Sequence, residues 1–249
     1  MRMADGDRMP LLDIRQPVRG YRFSIDSVLL AGFAAPFARG AVLDLGTGCG
    51  VLLLLLSCLA PEMASGTGVE LQGELLSFAR ENFRANGLEN RLRAVGGDFR
   101  GEVAGVPPAA FDLVVANPPF GRAGHGRPNA DPGREAARHD ASCSLPELFA
   151  AARRFLAPGG RFSLILPAGR LSEIEACAMR ERMAAEVLRP VRFRPGAPPR
   201  RVLYCAALGG AGSARELPPL FVHGKKDKYA PEVERICRLF RAGRQDRRA

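Results

Sequence analysis

At 249 residues, 47% hydrophobic and 25% charged, the chain is long enough for one large α/β domain or two small ones with a proper core, and too apolar to be disordered. Its net charge is +10, and all of its 36 basic residues except Lys225, Lys226 and Lys228 are arginine, which favours a polyanionic partner such as nucleic acid over a plain solvated basic surface. Six cysteines without a C-x-x-C pair, three histidines, and no apolar run behind the N-terminus or long enough to span a bilayer argue against a metal site, a secretory signal and a membrane anchor, and predict reduced thiols in a cytoplasmic protein.

Residues 10–25 read as a hairpin turning at Pro17-Val-Arg-Gly20, followed by a helix over Ser27 to Phe37 that Ser24 or Asp26 caps. Asp26 is either that cap or a ligand contact. Ala41 to Leu45 is a buried strand, and Gly46-Thr-Gly-Cys-Gly50 turns into a helix beginning near Val51. Glycines there permit positive φ and close approach of a ligand, while the N–H groups of the following helix suit a carboxylate or phosphate. The spacing is G-x-G-x-G, not the G-x-G-x-x-G of dinucleotide binders, which disfavours a nicotinamide oxidoreductase. A second strand, Gly66 to Glu70, ends in an acid that either caps the next helix or accepts the ribose hydroxyls of an adenosine-containing cofactor. A helix over Leu75 to Asn86 stops at Gly87, and a third strand, Leu92 to Gly96, leads into Gly97-Asp98-Phe99.

The fourth strand, Leu113 to Ala116, runs into Asn117-Pro118-Pro119-Phe120. Two prolines without N–H donors make the chain leave the sheet in a stiff, extended form, so Asn117 and Phe120 are held at a strand's carboxyl end. An amide, free carbonyls and an aromatic face suit a planar substrate bearing an NH₂ group; a Pro-stiffened strand exit without chemistry is the plainer reading. Gly121 to Asp140 is polar, Gly- and Arg-rich, and reads as a loop over the substrate. Its Arg122, Arg127, Arg134, Arg138 and His139 are candidate phosphate or base contacts, with His125 or His139 as a base the alternative. Beyond it come a helix over Leu145 to Leu156, a strand Arg161 to Pro167, a helix Leu171 to Ala185 and two final strands, Val187 to Phe193 and Val202 to Leu208, ending a seven-stranded sheet. Leu220 to His223 reads as one more strand, and a helix over Pro231 to Phe240 closes the chain. No linker divides it: the organisation is one domain over 1–249, with a hairpin and helix over 1–40, a core over 41–208 and an extension over 209–249.

Asp44-Leu-Gly-Thr-Gly-Cys-Gly50 resembles the first motif of class I S-adenosylmethionine-dependent methyltransferases, and Asn-Pro-Pro-Phe resembles the (N/D/S)-P-P-(Y/F/W) signature of those acting on planar nitrogens. Gly20-Tyr-Arg-Phe-Ser-Ile-Asp-Ser-Val-Leu-Leu30, Ala137-Arg138-His139 and the late Lys-Tyr-plus-helix are similar to the bacterial tRNA adenine-N6 methyltransferases that act beside the anticodon of a valine tRNA. Cys49 departs from the other small residues often found there. The resemblance implies a Rossmann-like α/β fold, a seven-stranded sheet with helices on both faces. It implies S-adenosylmethionine bound by Asp44, Gly46, Thr47, Gly48, Gly50, Glu70, Leu71, Asp98, Phe99 and Asn117. Catalysis falls to Asn117, Pro118, Pro119 and Phe120 acting on an exocyclic adenine amine in tRNA. Guanine-N2 methylation of rRNA, adenine methylation of DNA, glutamine methylation of release factors and a non-catalytic RNA-binding module are the alternatives.

Overall fold

The computed structural model describes residues 11–18, 23–118, 143–224 and 228–240. Seven strands form the body of one sheet: β1 Gly40–Leu45, β2 Met63–Glu70, β3 Leu92–Gly96, β4 Phe111–Ala116, β5 Leu156–Pro167, β6 Met183–Arg192 and β7 Arg201–Leu208. Their order is β3-β2-β1-β4-β5-β7-β6, and two short strands, β8 Arg215–Glu216 and β9 Leu220–Phe221, add to β6. Pairings from β3 to β5 are parallel, whereas β7 runs antiparallel to both its neighbours. The carboxyl ends of β1, β2, β3 and β4 therefore share one edge, and the chain order reverses between β1 and β4. That switch point is where open α/β sheets leave a crevice for ligand.

Alternation along the buried strands explains why helices cover both faces. Leu113 and Val115 point into one core with Val42, Ile165 and Leu203, while Val114 and Ala116 join Leu43, Leu45, Leu164 and Tyr204 in the other. The first core is closed by α1 Ile25–Ala34, α2 Val51–Leu59 and α3 Gly73–Ala85. The second is closed by α4 Leu145–Phe155 and α5 Leu171–Arg180. Ser24 caps α1 by accepting from Asp26 N, and Ser144 and Glu147 form a capping box on α4. Helix α5 stops at Arg180, short of the expected Ala185, because Arg182 turns the chain at φ 55 and β6 already begins at Met183.

Residues 10 and 19–22, which carry part of the turn and of both arms of the expected N-terminal hairpin, lie outside the described residues. Among the described residues, 11–18 form no strand, and Leu12 makes one parallel bridge to Phe240. The Asp13 and Arg15 backbone groups go to two asparagines one turn apart, Asn82 on α3 and Asn86 at its C-cap. Asn86 accepts from Asp13 N and donates to Asp13 O, and Asn82 does the same for Arg15, at 2.8–2.9 Å. Side-chain amides thus satisfy the backbone groups of Asp13 and Arg15. The last described helix, α6 Pro231–Cys237, packs Ile236 against Gly32 of α1, and Phe240 stacks on Phe23. The expected strand over Leu220 to His223 is only two residues long, with His223 bridging Tyr229.

Candidate active site

The glycine turn takes its shape from three left-handed residues, Gly46, Gly48 and Gly50 at φ 75, 57 and 78. Gly50 also faces Phe83, whose ring leaves no room for a Cβ. Gly46 N and Thr47 N donate to Val69 O, tying the turn to the end of β2. Glu70 completes the tie: Oε2 accepts from Gly48 N at 2.8 Å and Oε1 from Gln72 N at 2.9 Å. At 5% exposed, the carboxylate is fixed in place with a further lone pair on each oxygen, so a diol can be received without reorganisation. Asp44, 2% exposed, accepts from the Thr47 hydroxyl at 2.7 Å. Burial pushes the Asp44 carboxyl up to about 7 against the Thr47 hydrogen bond, with Glu70 adding repulsion.

After β3, the loop carrying Asp98 and Phe99 is pinned from α4. Arg154 donates to the carbonyls of Phe99, Arg100 and Gly101. Asp98 is forked by Arg100 at 2.7–3.0 Å, which holds its carboxyl below the usual carboxylate range. An amine approaching Asp98 shares that carboxylate with the guanidinium. Cys143 lines the same wall as a neutral thiol, pushed up to about 12 by burial and then by Glu147.

At the end of β4, the Asn117 amide nitrogen donates to Ser27 Oγ at 2.9 Å. Ser27 is 4% exposed, on the first turns of α1 and 90 residues earlier in the chain. With its nitrogen committed, the Asn117 side-chain oxygen is left as an acceptor. One crevice brings together Gly46, Gly48, Glu70, Leu71, Asp98, Phe99, Asn117 and Pro118, with Leu71 half exposed at its rim. A smaller cleft beside it joins Asp44, Thr47, Ser27, Phe23 and Asn117. Asn117, Pro118 and the glycine turn therefore open onto the same space. Gly50 lies behind the turn, against Phe83, and touches neither cleft.

Pro119, Phe120, Arg122, His125, Arg127, Arg134, Arg138 and His139 lie outside the described residues. Sequence reasoning missed Ser27, Gln72, Arg100, Arg154 and Asn82, whose amide also donates to Cys49 O behind the glycine turn. Ser27 alone had a signal, its place in the Phe-Ser-Ile-Asp-Ser run; the others are brought in by tertiary packing. Among the described residues no group of His, Cys, Asp and Glu could hold a metal, and no helix is long and apolar enough to cross a membrane.

The donor set fits an adenosyl sulfonium amino acid: a buried acid for a diol, a second acid beside a ring, backbone N–H groups at a glycine turn, and an apolar rim. Residues 25–170 match the family model described as the methyltransferase small domain. The chain belongs to that family of S-adenosylmethionine-dependent methyltransferases. Among curated relatives, the tRNA1(Val) (adenine(37)-N6)-methyltransferase of Porphyromonas gingivalis is 32% identical over 92% of this chain and 91% of its own. The protein of that name from Tolumonas auensis is 28% identical over 83% and 84%. In fold, the chain is similar to a solved "predicted O-methyltransferase" from Agrobacterium tumefaciens, with TM-score 0.67 and 22% identity over 85% of this chain and 94% of that one.

Proposed function

We propose that this protein methylates N6 of an adenine in tRNA, at the position beside the anticodon that its relatives' name specifies, as a single cytoplasmic catalytic domain. S-adenosylmethionine supplies the methyl group on an activated sulfonium, so the protein's task is positioning more than strong acid–base chemistry. Gly46, Gly48, Glu70, Leu71, Asp98 and Phe99 would hold it. The observation that carries the reading is the Asn117 amide, oriented by Ser27 and facing the crevice those residues line.

An adenine amine is a weak nucleophile because its lone pair is delocalised into the ring. Asn117 Oδ1 and the Pro118 carbonyl accept its two N–H bonds, which draws the lone pair out of conjugation and localises it on nitrogen toward the methyl group. The proton released on methylation leaves through those same acceptors to solvent. Phe120 supplies the ring on which the base stacks. A target in an unpaired loop can be splayed into such a pocket without breaking a helix, and the net charge of +10 supplies salt-sensitive affinity for the backbone. The basic segment over 121–140 supplies further contacts through Arg122, Arg127, Arg134, Arg138 and His139.

Incubating the protein with S-adenosylmethionine and, in parallel, unmodified bulk tRNA or rRNA, then digesting to nucleosides for mass spectrometry, tests this reading. N6-methyladenosine is the expected product. N2-methylguanosine, found with rRNA as acceptor and absent from tRNA, would replace it with a different reaction.

A further inference from the structure

Beyond the catalytic corner, at the carboxyl edge of β6, side chains from three separate segments lie in a row. The Arg200 guanidinium lies over the Phe193 ring at 5.8 Å, and Phe193 is 6.4 Å from the His223 ring. His223 in turn stacks on Tyr229 at 5.4 Å with 17° between the planes. Backbone bonds lock the row: His223 N donates to Phe193 O, Ala230 N donates to Val222 O, and His223 bridges Tyr229. Both ends face solvent. Arg200 is exposed and makes no ion pair among the described residues, and Tyr229, with His223 over one face, is 42% exposed. Tyr229 is the one aromatic among the large exposed hydrophobic side chains described, and exposed Lys228 precedes it.

This row is rigidly connected to the site. Asn117 is bonded to Ser27, the adjacent Asp26 pairs with Arg201 at 3.0 Å, and Arg200 is the next residue. Register gives the separation: Ala116 is level with Leu164, Leu164 with Tyr204, and Tyr204 with Leu188. Phe193 thus stands three strands across and about four residues further out than Asn117, roughly 20 Å away at ordinary strand spacing and rise. That is too far for the base being methylated and within reach of another part of the same RNA.

We propose that Tyr229 ends a stacking platform for a second, unpaired nucleobase of the RNA substrate, with Lys228 meeting the neighbouring phosphate and Arg200, at the row's other end, a phosphate further along the strand. The inference rests on the tRNA reading above. An aromatic ring backed by another ring loses little freedom on binding a base, and stacking accepts any base because each presents a π-face. Paired with arginine and lysine, it suits a single-stranded loop rather than a duplex groove. A loop engaged at two points some 20 Å apart, by this platform and by the corner at Asn117, is held in one orientation.

The test uses the full-length protein and an unmodified anticodon stem-loop RNA carrying 2-aminopurine, in turn, at each loop position other than the target. Binding to the wild type is expected to quench emission at one position. Tyr229→Leu should abolish that quench and weaken stem-loop binding about tenfold, Tyr229→Phe should retain both, and calorimetry should show S-adenosylmethionine affinity unchanged in each. Arg200→Gln, which leaves the rings in place, should weaken binding and lower the salt slope by about 1. Wild-type quenching and affinity retained in Tyr229→Leu and Arg200→Gln, with the wild type still methylating the RNA, would overturn the platform alone. A wild type that methylates no tRNA would overturn the functional reading on which it stands.

Discussion

Ser27 and Asn117 show how one hydrogen bond orients an amide. An asparagine amide has a donor end and an acceptor end that are nearly alike in shape, and only the oxygen serves an amine substrate. Because Ser27 Oγ takes the nitrogen, the oxygen is the end left for the crevice. Ser27→Ala frees the amide to rotate; the expected loss is about tenfold in kcat, from about 1.4 kcal/mol, with little change in KM for S-adenosylmethionine, and Ser27→Thr should restore most of it. Asp44 answers to pH instead. Its folded carboxyl titrates near 7 against an ordinary 3.8, so between those values the unfolded chain binds fewer protons, and stability falls as pH rises through that window. Asp44→Asn can still accept from Thr47 and carries no charge. Its melting temperature is expected to exceed the wild type's at pH 8 by a few degrees and to match it near pH 4; a constant offset at both would remove Asp44 as the cause.

Among the elements, the strands and their terminal residues were legible because each announces itself locally. The third strand, Leu92–Gly96, matches its expected bounds, and β1 and β4 differ from theirs only by one or two residues at the start. Glu70, Asp98 and Asn117 were placed at strand ends by spacing, and those ends converge because the pairing is parallel. What the sequence concealed depends on partners distant along the chain. Residues 10–16 alternate like a strand, but nothing local reveals that Asn82 and Asn86 will act as the pairing edge. Arg154 looked like one more arginine until α4 docked it under the Phe99–Gly101 carbonyls. Asn82 is fully buried and bonds both Arg15 and Cys49, so Asn82→Ala strands two carbonyls and one N–H. Chemical denaturation is expected to show a loss of about 2–4 kcal/mol; a loss under 0.5 kcal/mol would mean that the N-terminal segment contributes nothing through this contact.

At the scale of the molecule, two cores on opposite faces of one sheet support the carboxyl edge, and the described residues that line the crevice sit on that edge. The N-terminal segment, α1 and α6 lock together through Leu12 and Phe240, Phe23 and Phe240, and Gly32 and Ile236. Residues flanking the catalytic core are thereby tied to the helix that orients Asn117. The most direct measurement is the single-turnover rate of methyl transfer to tRNA by Asn117→Ala at saturating S-adenosylmethionine, with cofactor affinity measured by calorimetry on the same preparation. The expected result is a rate lower by about a hundredfold or more with affinity within about twofold of wild type. Undiminished transfer would contradict a reaction centred on the corner that follows β4.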